Sequence, residues 1–250
     1  MLRRFEVGFE SHRIATSGIT AIEVNLKAKL SQLKYISYRK IYITLIENTS
    51  KNERGIIWDD GKDAHINLNV DTEILSNLSD IENVKFMYRL LLNTLEPIWL
   101  KNNWDAEDLI AIYNTIESEK FEVEVRLGKE IVSPDRKTKA VIICKLYPDY
   151  ADYFIGFKKA NRTVCKILYL KGHPVPGLFF DTFVRRYWKD NDMFILNDAN
   201  KEIYFLFSVS RCSFEIEYLP KINSMEDCQN QLKGFEAGLS QEERLKLWKL

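Results

Sequence analysis

Carboxylates beside tryptophan are the residues of this chain whose spacing best suggests chemistry. Trp58 precedes Asp59, Asp60 and Asp63, and Trp104 precedes Asp105, Glu107 and Asp108. Gathered in one place, these acids offer hard oxygen ligands to a divalent cation. They equally offer an acidic docking surface to a basic protein, with tryptophan as the anchor. Each set also has a local explanation. Asp59-Asp60-Gly61-Lys62 is a turn, and Asp105 and Asp108 stand where a helix cap and its reciprocal partner would. No DxDxDG calcium loop is present, and no metal site is expected. The functional reading these residues favour is a protein-binding surface formed by Trp58, Asp59, Asp60, Asp63, Trp104, Asp105, Glu107 and Asp108.

Other reactive side chains are sparse. His12, His65 and His173 are never three or four apart, which excludes HExxH and short zinc motifs. His65 heads an alternating segment and reads as partnered within a sheet. Cys144, Cys165, Cys212 and Cys228 form no CxxC pair, and all four read as reduced structural thiols. Cys165 and His173 would make a nucleophile and base only if the fold joined them. The loop Leu170–Gly177 around His173 holds two prolines and two glycines, which suits a rigid connection. Glu122 and Glu124, two apart on a strand, share a face. No GxSxG, GxGxxG, Walker or kinase motif occurs. No catalytic residue and no cofactor are assigned.

Charge is distributed in blocks. The chain is formally neutral, yet residues 51–135 hold 9 Lys and Arg against 18 Asp and Glu, and residues 136–189 hold 12 against 3. Such blocks steer encounters if they stay open, and are structural if they pair internally. The basic block includes Arg136, Lys139, Lys158, Lys159, Arg162, Lys166, Lys171, Arg185, Arg186 and Lys189, with Tyr187 and Trp188 interleaved. Arginine with aromatics suits single-stranded nucleic acid, but overall neutrality argues against a general nucleic-acid binder. The longest apolar runs, such as Ala140–Cys144, are strand-sized. None nears the roughly 18 residues of a membrane span, and the first residues carry no signal-peptide core. A cytoplasmic protein is expected.

Periodicity places these residues on elements. Alternation predicts strands at Phe5–Phe9, Ile22–Leu30 and Tyr38–Glu47, and the Asp-Gly turn predicts a hairpin between Gly55–Trp58 and Ala64–Val70. The start therefore reads as an antiparallel meander of about five strands. Three- and four-residue spacing predicts a helix over Asp80–Asn102, kinked or split at Pro97, and a second helix after Asp105. Strands follow at Phe121–Leu127, Lys139–Leu146, Tyr153–Lys158, Thr163–Leu170, Met193–Leu196, Ile203–Val209 and Phe214–Tyr218, with Leu178–Lys189 ambiguous. Helices are expected at Met225–Glu236 and after Ser240.

Strand runs followed by helices point to an α+β fold. The expected architecture is two antiparallel β-rich lobes, each a strand meander followed by helices. The lobes are 1–118 and 119–250, a division equally compatible with one continuous domain. The function expected is a soluble, non-enzymatic protein-binding protein. In concrete form it is a bacterial immunity protein that blocks a cognate, basic toxin through its acidic surface, without membrane or nucleic acid. The alternatives are an enzyme with a pocket near the His173 loop, or a nucleic-acid binder using residues 136–189.

Overall fold

The computed structural model describes residues 2–9, 19–47, 55–148, 150–172, 183, 185–198, 201 and 203–218. The chain divides into two compact units. One is residues 1–123 with 147–149, and the other is residues 124–146 with 150–250. Both helices and sheets are present, in an α+β arrangement.

In the first unit, β1 (Arg4–Phe9), β2 (Lys40–Glu47), β3 (Gly55–Asp59) and β4 (Asp63–Val70) form a sheet of order β1-β2-β4-β3. The predicted meander is corrected in two ways. Ile22–Leu30 is not a strand but belongs to α1 (Ile19–Leu30), of which it makes up all but the first turn. Its apolar residues satisfy two periods at once, and tertiary burial selects between them. Ala21, Ile22, Asn25, Leu26 and Leu30 are buried, whereas Ala28 is exposed. That is a helical stripe. A helix between β1 and β2 also returns the chain to its starting end. β1 and β2 are therefore parallel, as are β2 and β4, and only β3 and β4 form the expected hairpin.

α2 (Thr72–Ser76) follows, capped by the Asp71 carboxylate. α3 (Asp80–Lys101) starts at a capping box of Ser79 and Glu82 and runs unbroken through Pro97. Residues Asn93 and Pro97 both lie on its exposed side, so water can serve the carbonyl that proline leaves without a donor. α4 (Glu107–Ser118) packs Leu109, Ile112, Tyr113 and Ile116 inward. One core joins the sheet to α1, α3 and α4, with Ile41, Ile43, Leu45, Ile66, Leu91, Leu95 and Trp99 at its centre.

The second unit is a pair of antiparallel sheets. β5 (Val123–Val132), β6 (Thr138–Leu146), β7 (Ala151–Lys159) and β8 (Arg162–Gly172) form one in sequence order. β9 (Arg185–Trp188), β10 (Met193–Asn197), β11 (Ile203–Ser208) and β12 (Ser213–Tyr218) form the other. The ambiguous 178–189 segment thus ends as a strand, and aromatic and branched residues suit that outcome. Phe157 meets Trp188 and Phe194, and Tyr169 meets Phe205 and Phe207, so rings from both sheets share the core. At one edge, Trp188 Nε1 donates to the Ile131 carbonyl at 2.9 Å. At another, Cys165 and Cys212 form a disulfide, so the expectation of reduced thiols fails there. Both cysteines are distant in sequence, and only the stacking of the two sheets brings them together. Cys144 is a buried free thiol, and burial pushes it up to about 12. Cys228 and the two C-terminal helices expected from the sequence lie outside the described residues.

Candidate functional site: an acidic–aromatic face on the first unit

The hairpin turn after β3 and the junction of α3 and α4 come together around two tyrosines. Tyr38 donates its hydroxyl to Asp59, at 2.9 Å to Oδ1 and 2.8 Å to Oδ2. Lys101, at the end of α3, donates to Asp59 Oδ2 at 2.7 Å, and the Gly61 amide donates to Oδ1 at 2.8 Å. The Asp59 side chain is only 4% exposed. Burial works to raise its pKa, but the Lys101 ammonium, the Gly61 amide and the Tyr38 hydroxyl together hold it below the usual carboxylate range. Asn102 completes the group by donating to Tyr38 Oη at 3.4 Å.

Trp104 is the centre of the aromatic half. Its ring lies 5.3 Å from Tyr35, 5.9 Å from Tyr38 and 5.1 Å from Trp99. Trp99 is fully buried, so the cluster is rooted in the core. Tyr35, itself 42% exposed, donates its hydroxyl to Asp108 on α4. Burial and the adjoining Asp108 carboxylate push the Tyr35 phenol up to about 12.

The remaining acids are held in different ways. Asp60 accepts the amides of Lys62 and Asp63, which lower its pKa. Asp63 pairs with the Arg39 guanidinium, which lowers its pKa too. Asp105 accepts the Glu107 amide at 2.9 Å. The expected reciprocal contact from Asp108 is not made, because its carboxylate is taken by Tyr35. Among the described residues, Asp60, Asp105, Glu107 and Asp108 have no Lys or Arg within ion-pair distance.

The eight residues expected to bind a partner therefore separate. Asp59, Trp104 and Asp108 belong to one connected group, with Asp60, Asp105 and Glu107 on the adjoining turns. Trp58 stands apart. Side chains alternate along a strand, and Trp58 pairs across the hairpin with His65, while Asp59 pairs with the buried Ala64. Trp58, 50% exposed, thus faces the side of the sheet opposite α3. There His65 Nε2 lies 2.7 Å from Thr44 Oγ1 and its ring touches Tyr42, a partnering within the sheet. Tyr35, Tyr38, Lys101 and Asn102 are the members that reading by spacing missed.

The alternative sites lose parts. Cys165 is bonded to Cys212 and supplies no thiolate, and His12 and His173 lie outside the described residues. Glu124 pairs with Lys166 at 2.7 Å. Lys158 and Lys139 approach Glu130 at 3.0 and 3.4 Å. The acidic and basic blocks therefore pair in part along β5. Among the described residues no group of three His, Cys, Asp or Glu is placed to hold a metal ion. No family model, curated protein or solved structure matches this chain.

Proposed function

We propose that this protein binds another protein through the acidic–aromatic face of its first unit. Its concrete form is a bacterial immunity protein that covers a basic toxin. The observation that carries this is the contrast among the acids. Asp59 and Asp63 are neutralised by Lys101 and Arg39, while Asp105, Glu107 and Asp108 hold no described cation beside the exposed ring of Tyr35. Ordered aromatics next to unpaired carboxylates suit a basic partner, with the rings as anchors and the charges setting encounter rate and choice. The mechanism is occlusion of the partner's active site.

Nucleic acid is a weaker reading, because Lys139, Lys158 and Lys166 are turned onto Glu130 and Glu124. No helix of the described residues is long and apolar enough to cross a membrane. A cytoplasmic site of action goes with this reading on one condition. The Cys165–Cys212 bond must withstand a compartment that keeps most thiols reduced.

The test is co-purification with the basic product of a neighbouring gene. The expected result is a complex that weakens with salt and with Asp105→Lys or Glu107→Lys. A neighbour that is not retained even at low salt removes the proposal.

A further inference from the structure

α3 and α4 flank a cavity of about 180 Å³ that is open to solvent on one side and lined by Arg89, Leu92, Asn93, Leu109, Ile110 and Tyr113. Its walls are built. Leu92, Leu109 and Tyr113 are buried core residues, and the Arg89 guanidinium lies over the Tyr113 ring at 4.9 Å. Its rim is mixed, with Arg89 and Asn93 exposed and beside them the apolar Ile110, 62% exposed. A helix normally gives such a position to a polar residue.

We propose that this cavity seats one aromatic or branched apolar side chain of a protein partner, and that a Lys or Arg stands beside that side chain on the partner. The inference rests on the protein-binding reading above and names the anchor that reading lacks. Size supports it, because a buried apolar cavity of about 150 Å³ accepts a benzene-sized group. Charge supports the basic neighbour at the end of the cavity nearer the α3–α4 turn, away from the Arg89 guanidinium that lines the other end over Tyr113. Glu107 is one turn before Ile110 on α4, and Glu96 is one turn beyond Asn93 on α3, so each lies on the face of its helix that borders the cavity. Both carboxylates are exposed, with no described cation in ion-pair range. Continuity supports it as well. Asp108, which holds Tyr35, is the residue before the cavity-lining Leu109, so the acidic–aromatic face and the cavity meet along the first turn of α4. An apolar anchor ringed by polar contacts is the arrangement in which few residues carry most of the binding energy.

The experiment uses the full chain with labelled methyl groups and three dipeptide probes, followed by NMR. N-acetyl-Lys-Phe-amide is expected to give saturable shifts at the Leu92, Leu109 and Ile110 methyls. N-acetyl-Glu-Phe-amide should bind the same methyls about two- to fivefold more weakly, the size of one exposed ion pair. N-acetyl-Lys-Ala-amide should leave them unmoved. Ile110→Asp, at an exposed position, should abolish the shifts without altering the melting temperature. The proposal is overturned if Lys-Phe produces no saturable shift, or if Lys-Ala produces the same one. Either failure leaves the acidic face standing, because salt-sensitive capture of the neighbouring gene product tests that face separately.

Discussion

Cys165 on β8 is covalently joined to Cys212 in the turn that links β11 to β12, so one edge of each sheet in the second unit is tied to the other. Cys165 is buried, and Cys212 holds a left-handed backbone with φ of 48°, which a non-glycine residue adopts only where its surroundings fix it. The bond closes a loop of sequence separation 47. Loop entropy at that length gives about 4 kcal/mol of stabilisation. Reductant, or the pair Cys165→Ala and Cys212→Ala, should lower the melting temperature of the second unit by on the order of 10 °C. Peptide mapping without reduction should recover the Cys165 and Cys212 peptides as one species. An unchanged melting curve in dithiothreitol would show that the bond contributes nothing in solution.

Asp59 offers a prediction with a defined pH window. Its folded pKa is depressed, so its contribution is fully present above the unfolded value of about 3.9 and is lost as pH falls through the lower folded value. At neutral pH, Asp59→Asn should cost about 1–2 kcal/mol, because the Tyr38 hydroxyl loses an ionised acceptor. Lys101 is half exposed and can rehydrate. Urea melts of both proteins from pH 7 downward should converge below pH 4. A constant difference across that range would mean that charge at Asp59 plays no part.

How far the sequence was readable follows from which contacts are local. The Asp-Gly turn, the two helices after residue 79 and the strands from 123 to 218 other than β9 are set by neighbours within a few residues, and their periods show it. α1 is not legible from period alone, because Ile22, Leu26 and Leu30 satisfy both a two- and a four-residue repeat, and only the sheet they pack on breaks the tie. Parallel pairing of β1 with β2 followed from that one element. At the site, spacing found Asp59, Trp104 and Asp108 but gave no means of joining them. Tyr35 and Tyr38 make the join across 73 and 21 residues of sequence. Tyr35 has no period around it and Tyr38 only opens the alternating segment Tyr38–Glu47, so nothing local marks either as the partner of an acid. Cys165 and Cys212 were hidden for the same reason.

Tyr35 should report on Asp108. Burial and then the Asp108 hydrogen bond and charge push the phenol up to about 12. In Asp108→Asn the burial contribution remains and the charge is gone. The phenol should then titrate between its ordinary value of about 10 and the wild-type value. Tyrosinate absorbance in wild type, Asp108→Asn and Tyr35→Phe isolates the one group. The sign for stability is opposite to that of Asp59. A phenol kept protonated in the fold stabilises below the unfolded pKa, and that contribution is lost as pH rises from about 10 toward 12. A Tyr35 that titrates identically with and without Asp108 would place the two side chains apart in solution.

Glu130 decides how much of the charge segregation is structural. Lys139 and Lys158 are direct partners across β6 and β7, a like-charge pairing that is destabilising by itself. The Glu130 carboxylate lies 3.4 Å from one and 3.0 Å from the other, with Arg126 at 4.0 Å on its own strand. The Lys158 hydrogen bond leads the effects that hold its pKa down. Its side chain is about a third exposed, which limits the gain to roughly 1 kcal/mol at low ionic strength. Glu130→Ala should cost that amount and leave two ammonium groups facing each other, so the loss should shrink as salt screens them. Glu124→Ala breaks one more exposed pair, Glu124 with Lys166, and should cost less. If both variants melt like wild type at low salt, the two blocks do not stabilise each other through β5, and the basic strands are then as available to a partner as the acidic face of the first unit.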